Sequence, residues 1–259
     1  MGKIICTGLG PGDPDLISVK SDRLIRGAQH VAYFRKAGRA GQARRIVEGM
    51  LANGVTEYAM EYPVTTELPF DSPEYNQALA QFYDDWADRL ATLSQTTEVV
   101  VLCEGDPYFY GSFMHLHTRL QGRAEVEVVP GITGMTGCWN ALDQPFTWGD
   151  DVLTVLMATL PASDLVAHMR RSDAMVVMKT GRNLPKVRAA LEQAGIAVLI
   201  RSPTLRSAPI GPSLRRYANG AAVVETRLSP PDLLQVLKRI ERAFGRTARG
   251  QRWTSRVLD

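Results

Sequence analysis

One pattern occurs three times in the N-terminal half of this chain and constrains its fold more than anything else. A short apolar run stops abruptly at a turn rich in glycine and proline. Lys3–Gly8 leads into Gly8-Leu9-Gly10-Pro11-Gly12-Asp13-Pro14. Val99–Cys103 leads into Glu104–Gly111, and Glu125–Val129 into Pro130–Gly137. A short continuous apolar run bounded by turn residues reads as a strand buried on both faces. Helical spacing follows each turn, over Leu16–Ala28, Phe109–Leu120 and Thr133–Leu142. Strands alternating with helices predict an α/β fold with a mostly parallel sheet. Sheets of that kind bind ligands just beyond the carboxyl ends of their strands, where the three turns fall.

Further elements fill the intervals. His30–Phe34 reads as a strand, Gln42–Leu51 as a helix and Glu61–Pro69 as a loop. A long helix is expected from about Tyr75 to Ser94, with Ser72 as N-cap and Pro73 at the first helical position. Pro145–Asp151 marks a boundary, so residues 1–145 and 146–259 are read as two α/β domains. In the second, Val152–Met157, Ala174–Lys179 and Ala197–Ile200 read as strands. A helix is expected between the first two, and Leu184–Ala194 reads as another. Near the end, Leu233, Leu237, Ile240 and Phe244 form the apolar face of a further helix, with a start signal at Ser229-Pro230.

No apolar stretch approaches the roughly 18 residues that span a bilayer, so no membrane partner is expected. The N-terminus lacks a secretory pattern, which makes a cytoplasmic location the expectation. Three widely spaced cysteines, Cys6, Cys103 and Cys138, give neither a disulfide framework nor a zinc site, and no metal is expected. The net charge of +3 conceals an asymmetry: Ile196–Asp259 holds 12 Lys and Arg against 4 Asp and Glu. No nucleic-acid-binding motif accompanies that basic stretch, so nucleic acid is not expected as a partner.

Glycine lets backbone approach a ligand closely, and the helix starts offer free N–H groups. The first turn is not the dinucleotide fingerprint, because Pro11 and the residues after it break the required glycine spacing. Taken together, Thr7–Pro14, Glu104-Gly105-Asp106-Pro107 and Val129-Pro130-Gly131-Ile132-Thr133 resemble the tetrapyrrole (corrin/porphyrin) methylases. Finer matches resemble the branch of that family acting on precorrin-2 at carbon 20. They are Glu61–Thr66, Cys103–Leu116, Pro130–Gly137, Trp148–Thr154 and Met178–Pro185.

The resemblance implies a two-domain fold, with a mostly parallel N-terminal sheet and a mixed C-terminal one. It implies a homodimer, S-adenosyl-L-methionine as methyl donor, no metal, and a tetrapyrrole substrate of the cobalamin pathway. Carried over by motif, the donor contacts are Pro11, Glu104, Gly105, Asp106, Phe109, Thr133, Gly134 and Met178. No residue stands out as the general base; Glu61, Asp106, His115 and His117 are candidates. Tyr62, Tyr108 and Tyr110 could meet the macrocycle, and Arg35 its carboxylates. Two other readings share these residues: a relative that methylates RNA or protein, and a non-catalytic protein that keeps the donor fold. The resemblance covers about residues 3–195 and then weakens. A native divergent domain and a segment translated in a shifted frame both fit the Arg/Ser/Pro-rich stretch beyond it.

Overall fold

The computed structural model describes residues 2–64, 68, 72–141, 145–196 and four short stretches between 200 and 223. The expected helix at Leu233–Phe244 lies outside the described residues. The chain divides into two compact units, Met1–Cys138 and Trp139–Asp259.

In the first unit, β1 (Ile4–Gly8), β2 (His30–Lys36), β3 (Thr56–Tyr62), β4 (Val99–Cys103) and β5 (Val126–Val129) form one sheet in the order β3-β2-β4-β1-β5. Every pairing in it is parallel. β1 and β4 are buried along their whole length, as central strands covered on both faces must be. Side chains alternate between those faces. Ile4 and Cys6 of β1, with Val99, Val101 and Cys103 of β4, pack against α3 (Pro73–Leu93) and α4 (Phe113–Leu120). Val100 and Leu102 of β4 pack on the opposite face with Ile25 of α1 (Val19–Gly27) and Ala43 and Ile46 of α2 (Gln42–Ile46).

The connection after β1 therefore leaves to one face and the connection after β4 to the other. The two strands are neighbours, in the register Gly8↔Cys103 at their carboxyl ends. Diverging connections between adjacent strands open a crevice at that point, the usual ligand position in an open parallel sheet.

Local signals explain most element boundaries. Ser72 accepts a hydrogen bond from the Tyr75 amide at 3.2 Å, and Pro73 opens α3. Ser18 caps α1 through the Ser21 amide at 3.1 Å, so that helix begins at Val19, after a separate 3-10 turn at Pro14–Leu16. The expected helix at Gln42–Leu51 is regular only to Ile46. The loop expected from Glu61 to Pro69 is corrected at its start: Glu61 and Tyr62 close strand β3, paired with Arg35 and Lys36 of β2. This strand is polar at many positions because it is the outer strand and needs less apolar cover.

The second unit pairs β6 (Leu153–Met157) with β7 (Ala174–Met178) in parallel. Leu165, Val166 and Met169 of α6 (Ala162–Met169) and Val187 and Ala190 of α7 (Leu184–Ala194) bury against Leu156 and Ala158. Gly195, in a left-handed conformation, ends α7. Two short antiparallel pairs follow: β8 (Ile200–Arg201) with β11 (Ala222–Val223), and β9 (Leu205–Ser207) with β10 (Tyr217–Asn219). The second unit thus contains both parallel and antiparallel pairing.

Candidate active site

The three turns are packed backbone to backbone at the carboxyl edge of the first unit's sheet. Gly10 and Gly105 form an isolated bridge: the Gly105 amide donates to the Gly10 carbonyl at 2.9 Å and the Gly10 amide to the Gly105 carbonyl at 3.3 Å. The third turn closes onto the other two. A Cβ built on Gly131 would stand 2.2 Å from the Gly105 carbonyl oxygen, and one on Gly8 would stand 2.5 Å from the Gly131 nitrogen. A Cβ on Gly137 would lie 2.6 Å from Pro11 Cβ. None of these separations is open to a side chain, so glycine is required by contact, whatever its φ.

Asp106 ties this cluster together. Its Oδ1 accepts from the Tyr108 amide at 2.9 Å, within its own turn. Its Oδ2 accepts from the Gly131 amide at 3.0 Å, across to the third turn. Glu104 reaches the other way, and its Oε1 accepts from the Ala43 amide at 3.1 Å, in the first turn of α2. The Glu104 side chain keeps a solvent-facing edge. Even so, partial burial raises its carboxyl above the ordinary range, against the lowering effect of the Ala43 amide.

Of the residues expected at the donor, seven lie in this unit and belong to the three turns or their margins. Pro11 packs beside Gly137, Phe109 meets Tyr110 edge-on at 4.9 Å, and Thr133 Oγ1 is 3.0 Å from Thr136 Oγ1. Gly134 opens α5 (Gly134–Ala141). Glu104, Gly105 and Asp106 form the second turn. Met178 lies in the second unit, as the half-buried last residue of β7.

The base candidates are largely engaged. Glu61 is held by Arg35, whose Nε donates to it at 2.8 Å and whose Nη2 also bonds it. Arg35 is therefore committed to its strand neighbour. His115 stacks on Tyr83 at 4.6 Å, and His117 stands edge-on to Tyr108 at 5.2 Å. Tyr62 stacks on Phe34 and bonds Ser112 through its hydroxyl, and burial pushes that hydroxyl up from the ordinary phenol range. Tyr62 is thus a core residue bracing the start of α4. Tyr108 and Tyr110 are exposed.

Two features of the site escape sequence reading. One is the Glu104–Ala43 contact, which joins residues 61 positions apart. The other is Tyr110, which holds φ at 55°. That is a conformation unusual for a bulky residue and frequent at ligand sites. Among the described residues no group of three or more His, Cys, Asp or Glu could hold a metal. None of the described helices is long and apolar enough to cross a membrane.

A parallel α/β unit whose glycine turns meet at the carboxyl ends of β1, β4 and β5 has the form of a ligand-binding site. Residues 3–202 match the family model of the Tetrapyrrole (Corrin/Porphyrin) Methylases, and the chain belongs to that family. It is 45% identical over 212 residues to a precorrin-2 C(20)-methyltransferase from Sinorhizobium sp, covering 80% of this chain and 86% of that protein. It is 25% identical to a cobalt-precorrin-2 C(20)-methyltransferase from Salmonella typhimurium, covering 79% and 85%. A crystal structure of uroporphyrin-III C-methyltransferase from Thermus thermophilus, complexed with S-adenosyl homocysteine, shares the fold. Its TM-score is 0.54 at 20% identity, covering 91% of this chain and 95% of that one. Residues 177–259 also match the family model of 7,8-dihydro-6-hydroxymethylpterin-pyrophosphokinase.

Proposed function

We propose that this chain transfers the methyl group of S-adenosylmethionine to carbon 20 of precorrin-2, a step of cobalamin biosynthesis. The observation that carries the reading is the 45% identity to a precorrin-2 C(20)-methyltransferase across 86% of that protein. Identity falls to 25% against the relative named for the cobalt-containing substrate, which favours the cobalt-free one. The meso carbon of a reduced tetrapyrrole is electron-rich and the donor's sulfonium is a strong electrophile. The protein therefore needs mainly to hold carbon, methyl and sulfur in line and exclude water.

The donor is proposed to lie on the joined turns, in contact with Pro11, Gly105, Asp106, Phe109, Thr133 and Gly134; Met178 remains a proposed donor residue on the family resemblance alone. Glu104 belongs to this set through its main chain, since its carboxylate turns to α2. Asp106 acts chiefly by fixing the turns, because both its oxygens already accept backbone N–H groups. The exposed Tyr108 and Tyr110 offer flat faces to the macrocycle. We further propose a two-domain division near residue 145, a homodimer, a cytoplasmic location and turnover that needs no metal. Calorimetry with S-adenosyl homocysteine, followed by turnover with precorrin-2, tests the reading. Binding of one donor per chain is expected, and donor binding without methylation of precorrin-2 would refute the substrate.

The C-terminal segment supports a second, local reading. Its match to a pyrophosphokinase family favours native coding over a shifted frame, because frame-shifted translation does not reproduce a family's pattern. We infer that the segment beyond about 202 is a native, divergent part of the methylase, since the likeness to the uroporphyrin-III C-methyltransferase structure covers 91% of this chain. The methylase match ends at 202, and the two matches overlap on 177–202, around the end of β7, the turn and α7. The coding DNA around residue 195, read in all frames, tests this. A methylase continuation in another frame would overturn it.

A further inference from the structure

Methyl transfer to a meso carbon leaves one step without an assigned residue. The carbon's π electron pair forms a bond to the methyl carbon, and the methyl–sulfur bond breaks with its pair remaining on sulfur. The donor becomes the neutral thioether. The methylated carbon now carries both the new methyl group and its original hydrogen, and the macrocycle holds the positive charge. Loss of that hydrogen as a proton restores conjugation, and a base must take it.

The carboxylates and imidazoles of the first unit's carboxyl edge divide sharply. Glu61 is bonded by two nitrogens of Arg35. Both oxygens of Asp106 accept backbone amides. Asp13 also has one engaged oxygen, Oδ1 on the Asp15 amide at 2.9 Å, but that bond stays within its own turn and ties it to no other segment. His115 stacks on Tyr83 and His117 stands edge-on to Tyr108, and both lie within α4 rather than at the end of a strand. Glu104 differs. It follows β4 directly, at the crevice between the diverging connections, and keeps a solvent-facing edge. Its only hydrogen bond among the described residues is the one from Ala43 to Oε1, and Oε2 accepts none. One oxygen is fixed and the other is available, as a positioned acceptor requires.

We propose that Glu104 takes the proton released from the methylated carbon, with its carboxylate oriented by the Ala43 amide of α2. The proposal rests on the methyltransferase reading above. Partial desolvation raises the carboxyl from its ordinary value, which strengthens it as a base.

The test uses the full chain, S-adenosyl homocysteine for binding, and S-adenosylmethionine with precorrin-2 for turnover. Glu104→Gln should lower kcat by about 100-fold or more, the usual contribution of a general base. Donor affinity should stay within about threefold, less than 1 kcal/mol. Glu104→Ala should be equally impaired and should regain turnover in formate, which supplies a carboxylate to the vacated position. Glu104→Gln turnover near the wild-type rate would overturn the proposal. So would a loss of donor binding that parallels the loss of rate, since Glu104 would then be a donor contact. Formate that leaves Glu104→Ala unchanged would also count against it. If the wild-type chain binds the donor but methylates no reduced tetrapyrrole, the methyltransferase reading fails first and the proton step falls with it.

Discussion

Gly131 illustrates how contact decides the residue type in this site. Its would-be Cβ meets the Gly105 carbonyl oxygen at 2.2 Å; the Gly105 backbone is held by its bridge to Gly10 and the Gly131 amide by Asp106. Gly131→Ala should therefore destabilise the protein by about 1–3 kcal/mol, the range for overpacking. It should also weaken donor binding in the same preparation. Thermal unfolding and calorimetry measure the two, and a variant of wild-type stability and affinity would show that the third turn packs more loosely than these contacts require. Asp106→Ala frees two backbone N–H groups and should cost about 1–3 kcal/mol of donor affinity. At Glu127, bonds from Lys20 and Lys3 lower the carboxyl to about 2. Its contribution is fully present above the ordinary carboxylate range and is lost as pH falls towards 2. Melting temperatures of Glu127→Gln should fall less steeply over that acid range than those of the wild type.

The elements show which signals survive translation into structure. β4 and α7 stand where the sequence places them, Val99–Cys103 and Leu184–Ala194, because an unbroken apolar run and a Pro-to-Gly bounded helix leave little choice of register. α3 begins where Ser72 and Pro73 say it should, and Ser72→Ala should cost about 1 kcal/mol of stability by removing its cap. A change in melting temperature within error would show that the cap is redundant. β3 was illegible for a physical reason. An outer strand with Thr56, Glu57 and Glu61 among its residues lacks the apolar run that betrays a buried one, and its partners lie 26 positions away in β2. The three turns were legible as glycine-rich sequence. Their mutual contacts were not, because a Cβ clash between Gly131 and Gly105 exists only after the sheet has brought β1, β4 and β5 together. The division of labour between Glu104 and Asp106, two residues apart, was hidden for the same reason: each finds its partner on a different distant segment.

For the whole molecule, the charge balance changes close to where the methylase family match ends. The basic stretch after Ile196 coincides with the end of the methylase match at residue 202 and lies inside the second match at 177–259. The proposed donor contacts all precede residue 203, so deleting residues 203–259 should leave donor affinity within about threefold of the full chain, under 1 kcal/mol. Loss of binding would mean that the segment supplies part of the donor site. Turnover should survive a chelator, since no described cluster has the makings of a metal centre; activity lost in EDTA and restored by a divalent ion would contradict this. The most direct test of the methyltransferase assignment is to supply the full chain with precorrin-2 and S-adenosylmethionine carrying a carbon-13 methyl group, and to read the product by carbon NMR. The label is predicted at carbon 20, with one equivalent of S-adenosyl homocysteine released. Label at another carbon, or donor that binds and is never consumed, would contradict it.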